Sequence, residues 1–282
     1  MRVNGQHLLL FLALITTTLG LVNAPPSGLS ALPPTTEARV ARVTNYVQLL
    51  HPVRAPQRAS VNDIVDQGTV VRTGKDSRAE LTFSGETVVR LAAHTAFDFY
   101  QGTRGLNLKI GAAVVQAPKD ANGATIHMGG VAGAVAGTTV MIEYHPGVYK
   151  FLVLEGTGRL YRPGHLGDSI LVHAGQMVIG NPDSAISDPV DVDIGRFMTT
   201  SRLLTDFPPL RSEKLILAES EKQQREKSKR TLIDTNLIIY GGGTQVSLVD
   251  QGQTDTTNRT TAPLVTPHRA SNLSPQAVPG PQ

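Results

Sequence analysis

Between Asp66 and Val178 the chain alternates short apolar segments with glycine-containing turns, and this pattern restricts the fold more than any other feature. Apolar and polar residues alternate from Arg78 to Phe83, and after a Ser-Gly turn the alternation returns at Val89 and Leu91. A period of two is typical of half-buried strands, because successive side chains of a strand point to opposite faces. The sequence therefore predicts an all-β fold of stacked short antiparallel strands and hairpins.

The spacing of the candidate strands leaves three architectures open. Strands recur about every ten to fifteen residues, which is compatible with a sandwich, a barrel or a solenoid. No internal repeat demands a regular solenoid. A first strand is predicted between Glu37 and Val53, so that residues 37–180 form one β domain. Six apolar side chains are expected to face one interior: Leu81, Phe83, Leu91, Leu108, Val153 and Val178.

The order of the turn and strand motifs resembles the FecR domain over roughly residues 60–178. No single motif is specific, because each consists of turn residues beside apolar residues, but their order and spacing together carry the resemblance. The matching elements are the opening Thr73–Leu81, the pair Gly137-Thr138 before a strand, the hairpin Leu154-Glu155-Gly156 and the closing Ala174-Gly175-Gln176.

This resemblance implies a function without catalysis. In the family, the domain lies in the periplasm of Gram-negative bacteria and detects the state of an outer-membrane transporter. It passes that state through a membrane helix to a cytoplasmic anti-sigma segment. For this chain the resemblance implies a sensing, binding or scaffolding module whose partner is another envelope protein. Only seven residues precede the apolar stretch Leu8–Val22, so we expect the cytoplasmic anti-sigma segment to be missing.

The N-terminal residues 1–24 have the features of a signal peptide or an N-terminal anchor. Arg2 precedes the apolar stretch Leu8–Val22, and small residues around Ala24 suit a signal peptidase. The stretch is short for a membrane span, which needs about 20 residues. Because Pro25 hinders cleavage after Ala24, an uncleaved anchor remains the alternative and the only expected membrane contact. We therefore predict a periplasmic or secreted protein, with residues 25–36 as a Pro/Ser-rich spacer.

After Gly180 the sequence loses its strand pattern. Residues 181–231 are predicted to form a linker and a charged helix, with helical spacing from Arg196 to Leu204 and a second helix from Arg211 to Arg230. Ser212 can cap this second helix. Its apolar residues are confined to Leu215, Ile216 and Leu217, so most of the helix is expected to face solvent. Residues 232–250 could form a β hairpin, and the composition of residues 251–282 predicts a disordered tail.

Composition excludes several kinds of chemistry. The chain has no cysteine, which rules out disulfides, zinc-thiolate sites, cysteine nucleophiles and lipoprotein attachment. Its formal charge of +3 is small, and no Lys/Arg run is interleaved with aromatic residues, so we expect no nucleic-acid partner. The glycine-rich segment Met128–Thr138 lacks the lysine and the spacing of a phosphate loop, and a structural role is expected. The nucleophile motif Gly-x-Ser-x-Gly does not occur.

The segment from Val148 to Ile179 superficially resembles half of a cupin barrel, but the histidine pattern of a cupin metal site is absent. Glu143 and His145 are one residue apart and could share a strand face, whereas His165 and His173 fall in or near turns. The acidic residues Asp188, Asp191 and Asp193 are expected to form a solvated linker. We therefore assign no catalytic, cofactor-binding or metal-binding residue, expect no cofactor and predict that the chain is not an enzyme. The alternative is a carbohydrate- or small-ligand-binding, cupin-like β-barrel with Glu143 and His145 at its site.

Overall fold

The computed structural model describes residues 37–84, 86–100, 105–119, 123–226, 232–233 and 248–249. The predicted signal peptide or anchor, the spacer and the tail lie outside the described residues, as does most of the predicted 232–250 hairpin. Within the described part most residues lie in strands and only three helices are present, so the predicted all-β class is confirmed.

The strands are short and follow one another closely along the chain. They are β1 (Glu37–Thr44), β2 (Val47–Leu50), β3 (Gln57–Arg58), β4 (Ile64–Asp66), β5 (Val70–Thr73), β6 (Arg78–Phe83), β7 (Val88–Leu91), β8 (Ala96–Phe99), β9 (Gly105–Ala117), β10 (Ala124–Met128), β11 (Val131–Val135), β12 (Thr138–His145), β13 (Val148–Glu155), β14 (Thr157–Tyr161), β15 (Ser169–His173), β16 (Gln176–Gly180) and β17 (Val190–Asp191).

These strands form two sheets that share β9. Sheet A has the order β4-β1-β6-β7-β9-β12-β13-β16-β17. Sheet B has the order β3-β2-β5-β8-β9-β10-β11-β14-β15. Every pairing is antiparallel except that of β9 with β10. Of the three architectures compatible with the strand spacing, the fold is a sandwich of two sheets.

Strand β9 passes from one sheet to the other at Gly111. Its residues up to Ile110 pair with β8 in sheet B, and those from Gly111 onward pair with β12 in sheet A. Gly111 has a φ of +99°, which strongly favours glycine, and an added Cβ atom would clash with Thr95. The crossing therefore depends on a residue without a side chain.

The main core lies between the two sheets. Sheet A contributes residues such as Leu81 and Val115, and sheet B contributes residues such as Leu49 and Phe97. All six residues expected to face one interior belong to this cluster, so the predicted register of their strands is confirmed. Ile110, which continues the alternation of Leu106 and Leu108, is instead 37% exposed, because it lies at the point where β9 leaves sheet B.

The outer face of sheet A is covered by three helices: α1 (Ile194–Thr200), α2 (Arg202–Thr205) and α3 (Glu213–Glu226). Asp193 caps α1 by accepting a hydrogen bond from the Arg196 amide, and the extended residue Ser201 separates α1 from α2. A second core fills the space between helices and sheet. It consists of Val114, Met141, Leu152, Leu154, Met177, Val192, Ile194, Phe197, Leu203, Phe207, Leu210 and Ile216. The molecule thus has three layers, and the central strands of sheet A, such as β12 and β13, are buried on both faces.

Helix α3 contacts the rest of the molecule mainly through polar residues. Most of its residues are exposed, as predicted, and of its three adjacent apolar residues only Ile216 is buried. The sequence did not indicate that Gln223 is buried: its Oε1 accepts from the Ile194 amide at 3.1 Å and its Nε2 donates to the Val192 carbonyl at 2.8 Å. Ser212, immediately before α3, lies with its hydroxyl 2.7 Å from that of Thr139 on β12.

Arg90 on β7 joins sheet A to the segment that contains the helices. Its Nε donates to Glu80 Oε2 at 2.8 Å, while its other nitrogens donate to the carbonyls of Leu203 (3.1 Å) and Pro208 (2.5 Å). Its guanidinium carbon lies 4.8 Å from the centre of the Phe207 ring. Burial lowers the pKa of Arg90, and the hydrogen bond and charge of Glu80 oppose that effect. An arginine nevertheless stays protonated, so a buried charge is fixed here.

Two further short strands pair antiparallel near the C-terminus, β18 (Leu232–Ile233) and β19 (Leu248–Val249). They fall at the two ends of the segment for which a hairpin was predicted, and the residues between them are outside the described set. Among the described helices, none combines the length and the apolar character needed to cross a membrane.

The two faces of β6 and β7 predict different sensitivities to truncation. Leu91→Ala removes a completely buried side chain from the main core and should lower the free energy of unfolding by about 2–5 kcal/mol. Thr82→Ala removes a half-buried hydroxyl from the opposite face of sheet A and should cost much less. Urea denaturation of both variants checks this. Equal, small losses for the two would contradict the assigned core.

Candidate functional site

A cavity of about 430 Å³ lies between the outer face of sheet A and the helices α1 and α2. Its floor is lined by Ala92, Ala93, Gly111 and Ala112, which are too small to fill the space below the helices. Small-molecule sites commonly have volumes of about 300–1,000 Å³, so the cavity is large enough for a small ligand.

The wall and roof of the cavity are mainly apolar at its inner end. Met141 on β12 is directly opposite Val114 and Leu152 on the neighbouring strands, and it forms part of the wall. Phe197 and Leu203, both buried, form the roof. Met141, Phe197 and Leu203 also belong to the second core. The cavity therefore lies at the edge of that core.

One side of the cavity carries a buried ion pair. Glu143 and Lys150 are directly opposite each other on β12 and β13, and Lys150 Nζ lies 2.7 Å from Glu143 Oε2. Their side chains are only 1% and 2% exposed. His145 Nε2 lies 3.4 Å from Glu143 Oε1. Charges at such depth are costly unless they are paired, so each member of the pair depends on the other.

The sequence indicated two of these three residues. From their spacing Glu143 and His145 could share a strand face, although no site was assigned to them, and the structure places them on one face of β12 and in contact. Lys150 was missed. The signal for it is the hairpin register: β12 and β13 are joined by the short Pro146-Gly147 turn, which puts residue 150 opposite residue 143.

The other side of the cavity carries two arginines that share one carboxylate. Arg78 Nη2 lies 2.8 Å from Asp206 Oδ2, and Arg202 Nε lies 3.0 Å from the same oxygen. The Arg78 side chain is 8% exposed, and its Nε is buried without a hydrogen-bond partner among the described residues. Asp206 is therefore shared by a buried arginine, Arg78, and a largely exposed one, Arg202.

The mouth of the cavity is formed by turns of sheet A and by the end of α1. Asp76 and His94 are exposed there, and both have positive φ values, of 50° and 54°. Aspartate and histidine are among the non-glycine residues that adopt this conformation most readily. Thr200 and Ser201 complete the rim on the helical side. The inside of the cavity is therefore lined by apolar side chains and by an ion pair, whereas the mouth is polar and open to solvent.

The other histidines and acidic residues named from the sequence lie elsewhere. His165 contacts the carbonyl of Pro163, and His173 contacts the hydroxyl of Thr157; neither lines the cavity. Asp193 caps α1. In the part of the chain that the structure describes, no group of three His, Cys, Asp or Glu side chains is arranged to hold a metal ion.

The glycine-rich segment that could suggest phosphate binding forms β10, β11 and the turns beside them. A Cβ atom on Gly133 would clash with the ring of Phe151, which is part of the main core. Gly137 has a φ of +58° in the turn before β12. The glycines therefore allow close packing and a tight turn.

A family model described as FecR protein matches residues 69–157. No curated protein sequence matches the chain. Two crystal structures of a proposed anti-sigma factor from Parabacteroides distasonis are similar at 11% and 12% identity, with TM-scores of 0.39 and 0.38. Both alignments cover 64% of this chain, and they cover 98% and 97% of the respective crystallised chains. These two likenesses are too remote to assign a function.

The matched segment contains part of the cavity only. The floor and both charged strand positions, Arg78 and the Glu143–Lys150 pair, fall within residues 69–157. The roof residues Phe197 and Leu203 follow later in the chain. The cavity therefore has its floor in the matched β domain and its roof in the helices that follow that domain.

The buried pair predicts a stability difference between matched substitutions. Lys150→Met removes the ammonium group that lies 2.7 Å from the buried Glu143 carboxylate, and we expect a loss of about 3–5 kcal/mol in the free energy of unfolding. The double variant Glu143→Gln/Lys150→Met removes both charges and should recover most of the loss. As a control, Lys222→Met breaks an exposed pair with Glu219 and should cost less than about 1 kcal/mol. Urea denaturation at neutral pH measures all three. A Lys150→Met loss no larger than that of the control would contradict the importance of the buried pair.

Proposed function

We propose that this chain is a non-enzymatic regulatory module that works outside the cytoplasm and senses the state of another envelope protein. The observation that carries this proposal is the match of the FecR family model to residues 69–157. That match supports a regulatory role, and the apolar N-terminal stretch Leu8–Val22 supports export.

The state of the charged residues supports binding rather than catalysis. The carboxylate of Glu143 is held by Lys150 and His145, and that of Glu80 is held by Arg90 and Arg42. A general acid or base must be able to reach a substrate proton, and these carboxylates are engaged in ion pairs. In this proposal, these ion pairs stabilise the fold and take no part in catalysis.

The edges of the sheets offer a mode of contact with a protein partner. Strand β15 is the last strand of sheet B and pairs only with β14 among the described strands. With five residues it is the longest strand at any sheet edge, and its outer face exposes Leu171. A partner strand could extend sheet B here by β-augmentation, in which main-chain hydrogen bonds provide affinity.

Complementation in the host tests the regulatory role. Deleting the gene should change the transcript levels of a small group of genes, and a plasmid copy of the natural chain should restore them. A copy with Leu12→Arg and Leu14→Arg should not, because each charge costs about 2–3 kcal/mol of membrane insertion and the product would stay in the cytoplasm. RNA sequencing and cell fractionation provide the measurements.

Two results would contradict the proposal. Unchanged transcripts after deletion would remove the regulatory role. Full restoration by the charged variant, with the protein found in the cytoplasm, would remove the location outside the cytoplasm.

A further inference from the structure

The cavity between sheet A and α1–α2 combines features that define a class of ligand. Its inner surface is formed by Ala92, Ala112, Met141, Phe197 and Leu203, which suit an apolar group. Its volume of about 430 Å³ lies within the range of about 300–1,000 Å³ that is common for small-molecule sites. The space is therefore suited to an organic body rather than to a bare inorganic ion.

The charges around the cavity favour an anionic group at one side. Arg78 and Arg202 both contact the carboxylate of Asp206, and Arg78, with a side chain only 8% exposed, is the more buried of the two arginines. Arg78 also has a buried Nε with no hydrogen-bond partner among the described residues. An unsatisfied buried donor is unfavourable, and a carboxylate is the group that best matches the fork of a guanidinium.

The acidic residues of the cavity do not cancel this preference. Glu143 is paired with Lys150 at 2.7 Å and contacts His145, so its charge is compensated from within the wall. Asp76 lies at the exposed mouth, where water and salt screen its charge. The buried guanidinium of Arg78, whose Nε has no hydrogen-bond partner among the described residues, is therefore the group in the cavity best placed to bind an added anion.

We propose that this cavity binds a small organic carboxylate. The carboxylate accepts hydrogen bonds from Arg78 and Arg202, and the apolar body lies on the alanine floor beneath Phe197. Because the roof consists of α1 and α2, a bound ligand also stabilises the attachment of these helices to sheet A. The inference is independent of the regulatory role proposed above and does not require it.

A titration of the purified full chain tests this assignment with defined probes. Phenylacetate and hexanoate are added at millimolar concentrations, each beside its neutral amide, phenylacetamide or hexanamide. Inorganic phosphate and glucose serve as an anion without an apolar body and as a neutral sugar. Backbone amide resonances of Ala93, Ala112 and Ser201, recorded by NMR, report on the cavity. Saturable shifts at these residues are expected with the carboxylates and not with the amides.

Three variants locate the binding. Arg202→Gln changes an exposed residue at the rim, so the fold should be retained while affinity falls about tenfold. Ala112→Leu fills the floor and should abolish binding without lowering the melting temperature. Arg159→Gln, on the exposed outer face of sheet B, should leave the affinity unchanged.

Each other outcome overturns the proposal. Equal affinity for the amides would show that the charge is not recognised. Saturation by phosphate alone or by glucose would indicate a different ligand class. Retained affinity in Ala112→Leu would place the binding elsewhere, and the absence of saturable shifts with either carboxylate would remove the site.

Discussion

The buried guanidinium of Arg90 is the interaction on which the third layer of this protein depends. A single side chain on β7 bonds Glu80 within sheet A and the carbonyls of Leu203 and Pro208 outside it. Leu203 belongs to α2, and Pro208 follows it in the connection to α3. The part of sheet A that carries Arg78, Glu80 and Arg90 is therefore covered by a segment that Arg90 holds through its main chain. This attachment acts together with the apolar contacts of the second core.

The sequence predicted the all-β class and the core-facing side chains, because alternation of apolar and polar residues is a local signal, but it left a sandwich, a barrel and a solenoid open. Leu81 and Leu91 could be placed in the interior from their spacing and from the glycine turns beside them. The alternation was less informative about the outer face of sheet A. The alternating residues Arg78, Glu80 and Arg90 look like solvent-facing positions of half-buried strands, yet all three are buried beneath the helices.

The segment that covers these three residues could not be derived from the alternation of apolar and polar residues, because its position depends on contacts between residues that are far apart in sequence. Arg90 and Pro208 are 118 residues apart in sequence. Gln223 bonds main-chain groups of Val192 and Ile194, which precede it by 31 and 29 residues. Gln223 occurs in a segment whose composition is that of an exposed helix. For the cavity, Glu143 and His145 were identified from their spacing. Lys150 required the hairpin register, and Phe197 required the position of α1.

The three-layer arrangement links the matched β domain to the segment that follows it. If Arg90 holds that segment in place, replacing Arg90 and its partner should release the helices and leave the sandwich folded. Amide hydrogen exchange of the double variant Glu80→Gln/Arg90→Met, compared with Arg159→Met, measures this directly. We predict faster exchange at Phe197, Ser201 and Leu204, with protection retained at Val115 and Val153 in the main core. Unchanged protection across α1 and α2 in the double variant would contradict the account.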